Sequence, residues 1–241
     1  MKKVLFGLVA LSLMSTTVMA KDINLYLKAG ADIHSEFDQI GYEGTEINSD
    51  ENDKLGYELT LELTKNYGDF EFGLGIAYQD HGEPKVGYRG KDSGSYDDGN
   101  IQGTYKDNVW TSFEGYKSIP LYLTGKYNFK TFESVKTYLK LDLGYSFNFD
   151  EGDVLYHYDG IVTPNDGSKP FRDAGADKFS VNIDDGLYLG FGIGLEYNNF
   201  VTDLMYKFNK AEIEYNDEYC SVKRDMDYSR VTLSFGYKFN F

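Results

Sequence analysis

Apolar and polar residues alternate with a period of two through eight stretches of the chain, the mark of a β-strand with two unlike faces. In "DINLYLKAGADI", Ile23, Leu25, Leu27, Ala29, Ala31 and Ile33 share one face. "LGYELTLELT" sets Leu55, Tyr57, Leu59, Leu61 and Leu63 on one face, with Glu58 and Glu62 opposite. The pattern returns in "FEFGLGIAY", "IPLYLTGKYNF", "YLKLDLGYSF", "LYLGFGIGLEY", "FVTDLMYKF" and the terminal "LSFGYKFNF". Strands of roughly 9–11 residues can cross a bilayer at a tilt. Connections near 65–69, 130–136 and 198–199 are short, whereas 34–54, 80–116, 148–185 and 211–228 are long and polar. Short turns on one side and long loops on the other predict an all-β, antiparallel up-and-down transmembrane barrel of eight strands. Ten strands stay open, because 80–116 and 148–185 have room for hairpins of their own.

Alternation alone does not say whether the apolar face points inward, as in a soluble ligand-holding barrel, or outward. Height along the strands decides. With strands running alternately up and down, Phe70, Phe129, Tyr197, Phe200, Phe239 and Phe241 gather at the turn end. Tyr57, Tyr78, Tyr145, Phe147, Tyr206 and Phe208 gather at the loop end, and Leu59, Leu74, Leu123, Leu141, Leu143, Ile193 and Leu204 lie between. Two aromatic belts around an aliphatic band match the interfaces and hydrocarbon core of a membrane. The apolar face therefore meets lipid. Each backbone group orphaned there costs several kcal/mol, so the last strand must pair with the first.

The two ends of the chain extend this picture. Lys2 and Lys3 precede the apolar run "VLFGLVALSLM" and then "STTVMA", which predicts a signal peptide over 1–20 and a barrel domain over 21–241. The run is too short for a spanning helix. The lone Cys220 can form no internal disulfide. At the other end, "SFGYKFNF" carries Ser234, Gly236, Phe239 and Phe241. This spacing of a polar residue, a glycine and two final aromatics resembles the C-terminal assembly signal of bacterial outer-membrane barrels. With the leader and the eight strands, the chain resembles small barrels of the OmpA-transmembrane, OmpX and OmpW kind. That resemblance implies an outer-membrane location with extracellular loops, contact with outer-membrane lipids, and reading of the four terminal residues by the barrel-assembly machinery.

Charge separates sharply between loops and strands. Without Lys2 and Lys3 the chain holds 22 Lys plus Arg against 39 Asp plus Glu, a net −17. The four long loops hold 29 acids and 10 bases, and the remainder 10 acids and 12 bases. A phosphate backbone would be repelled, so nucleic acid is excluded as a partner. Cations, basic ligands or host surface proteins are the partners such loops would accept, although no EF-hand spacing is present. Inward positions are nearly balanced. Glu58, Glu62, Asp142, Glu196 and Asp203, with Asp32 and Glu71, face Lys28, Lys126, Lys140, Lys207 and Arg230, with Lys238. A buried carboxylate needs a partner, which predicts an ion-pair network filling the lumen. Inward Gly73, Gly75, Gly190, Gly192 and Gly194 leave a slot for a solute, let the strands bend, or give Tyr26 and Tyr122 space to fold inward. Pro120 cannot donate to a ladder and marks a bulge or a strand start.

Catalysis requires a general base near the outer rim, and His34, His81 and His157 all fall at or above it. Asp32 and His34 share the inward phase of the first strand, so this aspartate could orient the imidazole. The contexts "HSE", "HGE" and "HYD" lack the His-x-Ser of outer-membrane deacylases. No cofactor or metal is expected. Three functions compete: a non-enzymatic barrel serving surface binding, adhesion or envelope integrity; a narrow channel or lateral conduit for small solutes; and a rim hydrolase acting on lipid A or peptides.

Overall fold

The computed structural model describes residues 22–37, 40–42, 45–47, 52–84, 89–129, 134–149, 152–217 and 220–241. The expected signal peptide lies outside them. Eight strands form the barrel: β1 (Ile23–Phe37), β2 (Tyr57–Tyr67), β3 (Phe70–Asp80), β4 (Lys117–Asn128), β5 (Val135–Phe149), β6 (Gly186–Tyr197), β7 (Phe200–Asn209) and β8 (Tyr228–Asn240). Each pairs antiparallel with its sequence neighbours, and β8 returns to pair with β1. The chain is thus an all-β, eight-stranded closed barrel, as the alternation predicted, rather than a ten-stranded one. Asn198 and Asn199 take the left-handed conformation that a two-residue hairpin turn requires between β6 and β7. The terminus is stitched into the closing seam. The Phe241 N–H donates to the Ile23 carbonyl at 2.9 Å, and the Asp22 N–H to the Phe241 carbonyl at 3.2 Å.

Burial is inverted relative to a soluble protein. Leu141 is 61% exposed and Phe191 58%, while Glu62, Asp142 and Asp203 are fully buried. A continuous apolar exterior of this kind is stable only against lipid. Aromatic residues pack against one another at the turn-end rim: Phe70 on Tyr127 at 5.1 Å, Phe200 on Tyr237 at 5.4 Å and Tyr237 on Phe239 at 4.9 Å.

The long loops also fold. Strands Arg89–Asp97, Gln102–Phe113, Asp153–Pro164 and Phe171–Ser180 form a separate four-stranded antiparallel outer sheet. Its two middle strands pair with each other directly above β4 and β5, from which they continue. The junction is hydrogen-bonded too, Gly152 N–H to the Gly115 carbonyl at 2.8 Å and Glu114 N–H to the Asp153 carbonyl at 3.3 Å. Short strands Asn182–Asp184, Glu212–Asp217 and Cys220–Asp225 make a three-stranded sheet beside it.

An arginine in the middle of the lipid-facing band should be costly. Leu141→Arg is expected to lower folding stability in lipid vesicles by about 2–4 kcal/mol, measured by urea titration. An unchanged midpoint would mean that this face does not meet hydrocarbon.

Candidate functional site

The lumen is filled by charge. Glu62 on β2 is the hub: Lys28 lies 2.9 Å from it, Lys126 3.5 Å, Lys140 donates to it, and the Tyr122 hydroxyl donates at 3.0 Å. Lys28 also reaches Asp203 at 2.7 Å, and Lys140 reaches Asp142 at 2.9 Å. Nearer the loop end, Glu58 pairs with Lys207 and with Arg230 at 3.7 Å, and Arg230 lies 3.4 Å from Asp32. Nearer the turns, Lys238 meets Glu196 at 3.0 Å, and Lys126 caps the Tyr26 ring at 3.3 Å. All thirteen charges expected to face inward therefore share the lumen, though Lys238–Glu196 forms its own pair. Several tyrosines complete it. Tyr26 donates to Glu71 at 2.7 Å, Tyr138 donates to Asp203, and Tyr228 donates to Asp32 at 2.9 Å. Tyr138 and Tyr228 were missed from the sequence, although the inward phase of their strands placed them.

No slot is left beside the inward glycines. The Tyr122 ring covers Gly75 and the Tyr138 ring covers Gly194 closely enough that a Cβ would strike them. Gly192 lies against the backbone of Leu204 and Met205 on the neighbouring strand. Pro120 marks neither a bulge nor a strand start. It sits inside β4, and the β3–β4 ladder lapses between the Ser118–Gln79 and Leu121–Ile76 pairs. Behind that lapse Ala77, Tyr122 and Tyr188 pack together, the two rings 5.1 Å apart.

A hydrophobic cap closes the loop end. Phe37, Phe113, Tyr116, Ile183, Ile213, Met226 and Tyr228 belong to one buried cluster drawn from all four long loops and the strand ends. At its base, the buried His81 lies between the rings of Tyr116 at 4.4 Å and Tyr228 at 4.5 Å. Arg230 can only donate, so His81 Nδ1, 3.4 Å away, accepts. Nε2 then carries the proton and donates to Ser118 Oγ at 2.8 Å, and Ser118 donates to Gln79 at 3.1 Å. This relay runs away from catalysis, because the imidazole gives Ser118 a proton instead of taking one.

Of the remaining histidines, one meets a carboxylate and the other a serine hydroxyl. A register shift between Asp32 and His34 corrects the expectation that they share the inward face. Asp32 points inward and is buried, while His34 is exposed and meets Glu36 at 2.9 Å. One extra residue in the strand turns the following side chains over. His157 lies in the outer sheet, stacked on Trp110 at 5.1 Å and bonded to Ser112 at 3.0 Å. Among the described residues, no three His, Cys, Asp or Glu side chains are grouped to hold a metal ion. A polar cavity of about 540 Å³ opens where the outer sheet meets the barrel rim, lined by Lys54, Tyr57, Asp80, Glu83, Glu114 and Lys117 among others.

No family model matches the chain. An uncharacterized protein of Pasteurella multocida (strain Pm70) is 25% identical over 249 aligned positions, covering 99% of this chain and 98% of that protein. Among solved structures, the chain is similar to the outer membrane protein OprG from Pseudomonas aeruginosa (15% identity, TM-score 0.49, 92% of this chain and 97% of that one). It is also similar to the outer membrane protein AlkL (14%, 0.44, 92% and 92%) and to Ail of Yersinia pestis (13%, 0.37, 91% and 100%).

Two outcomes follow from this geometry. Glu62→Gln removes the carboxylate shared by three buried ammonium groups, leaving Lys28 with Asp203, Lys140 with Asp142 and Lys126 with only Glu71 at 3.9 Å, and should cost about 3–5 kcal/mol in vesicle urea titrations; a loss below about 1 kcal/mol would mean the hub is hydrated and replaceable. Burial, aided by Arg230, holds the His81 imidazole well below its usual range. An opened cap would take up a proton below about pH 6.5 that the closed cap refuses, so cap stability falls as pH drops through that value. Hydrogen exchange at residues 113–116 should quicken from pH 7.5 to pH 5.5 beyond the intrinsic rate change, and His81→Gln should abolish the excess. The same excess in the variant would assign it to another group.

Proposed function

We propose that this protein is a non-enzymatic outer-membrane barrel whose strands anchor an extracellular binding surface. The observation that supports this best is the contrast between a lumen packed with paired charges under a hydrophobic cap and an outer sheet of four strands held clear of it. An eight-stranded barrel is just wide enough for its own side chains, and here they occupy it. The leader-like start of the chain and the terminal Ser234, Gly236, Phe239 and Phe241 fit export and barrel assembly. The loop set, at −19, fits a basic or cationic partner better than an acidic one.

A lateral conduit is the second reading, favoured by the lapse in the ladder at Pro120. Planar-bilayer recording separates the two. The refolded protein is expected to give a flat trace under voltage, and Pro120→Ala to change nothing. Discrete current steps would overturn the anchor reading, and their loss in Pro120→Ala would locate the route at the β3–β4 wall.

A further inference from the structure

The outer sheet is a single layer whose two faces differ in chemistry. Directly paired residues point to the same side, so the register sorts the side chains. One side presents Lys91, Lys106, Arg172 and Lys178 beside the Trp110–His157 stack, with Arg172 bound to Asp159 at 2.7 Å. The other side has no lysine or arginine at any paired position of the four strands. It carries tyrosine, phenylalanine, glycine and aspartate. Tyr105 lies against Gly94 and Tyr158 against Gly175, and Tyr96 meets Phe171 edge-on at 6.0 Å.

A row of acids crosses this aromatic face. Asp92 stands opposite Asp107, Asp107 opposite Gly160, and Gly160 opposite Asp173. Like charges placed directly across strands destabilise a sheet; Asp92 is offset by the Tyr105 hydroxyl at 3.0 Å and the Ser93 N–H at 2.8 Å, which both donate to it, but Asp107 is not. Asp107 leans over Gly160, and its Oδ1 is buried without a hydrogen-bond partner. Burial and the neighbouring Asp173 and Asp92 push its carboxyl above the usual range. A local rule broken with no compensating contact at Asp107 Oδ1 is where a binding function is expected.

The geometry selects the ligand. No grouping here suits one metal ion. From the Asp92 strand to the Asp173 strand is three strand spacings, about 14 Å. Alternate residues of an extended peptide cover about 14 Å in four steps. We propose that this face docks an extended basic segment of another protein, laid across the strands, with Lys or Arg at alternate positions against Asp92, Asp107 and Asp173. Tyr105 and Tyr158 flank the row, one on each side, and offer ring faces to the same cations. The inference rests on the reading of the loops as the binding element and names its partner chemistry.

Fluorescence anisotropy on the refolded full chain in micelles tests it, with labelled Arg-Ser-Arg-Ser-Arg-Ser and Arg-Arg-Arg-Ser-Ser-Ser as probes of equal charge. The alternating peptide should bind more tightly. Asp92→Asn/Asp107→Asn/Asp173→Asn should weaken it about tenfold and erase the preference, while Glu36→Gln/Glu114→Gln/Glu212→Gln should cost less than about twofold. The aspartate variant should melt no lower than the parent, which keeps misfolding from mimicking the loss. Equal losses in both triple variants, or equal binding of both peptides, would overturn the proposal and leave only a diffuse negative field. Current steps in the bilayer would remove the anchor reading without touching these titrations, and a failed titration with a silent bilayer removes the docking face alone.

Discussion

Lipid offers nothing to a peptide N–H or C=O, and this single deficit organises the molecule. Eight strands can satisfy one another only by closing, so β8 must find β1 across nearly the whole length of the chain. Closure fixes the rest. A ring of eight leaves an interior about as wide as two facing layers of side chains. Those side chains stand on the inward phase of strands whose outward phase is committed to hydrocarbon. The interior therefore holds what the exterior cannot tolerate: lysines, carboxylates and tyrosine hydroxyls, cross-linked between strands far apart in sequence, as in Lys28–Asp203 and Lys207–Glu58.

The same logic explains the cap. A polar lumen would admit water from both ends. At the loop end, segments from all four long connections instead bury Phe37, Phe113, Ile213 and Met226 together. Arg230 and His81 join the two regimes, one reaching down to Asp32 and Glu58, the other packed among the rings above. The described loop residues thus form packed architecture, and this packing frees the outer sheet to present two faces.

The barrel was legible because period-two alternation is a local signal repeated eight times, and because Glu58, Glu62, Lys126 and Asp203 all sit on its inward phase. Tyr122 covering Gly75 was one of the alternatives that the same phase left open. His34 was not legible, since one bulged residue reverses every later side chain and no residue near Ile33 announces it. The outer sheet was hidden for a different reason. Its strands read "RGKDSGSYD" and "FRDAGADKFS", polar on both faces, and such strands carry no hydrophobic period. Their pairing depends on β4 and β5 bringing two separate loops side by side. The row of aspartates appears only once that register is known.

The continuity between β4, β5 and the middle strands of the outer sheet has a mechanical meaning. From the sheet tip into the membrane, two antiparallel ladders follow one another along the same two segments, and the Gly152–Gly115 and Glu114–Asp153 hydrogen bonds bridge the junction between them. A pull on the tip along the strands loads many hydrogen bonds together in shear, instead of opening them one at a time like a zipper. The barrel then shares the load through its closed ring, and the weakest link under tension moves from the protein to whatever holds its tip.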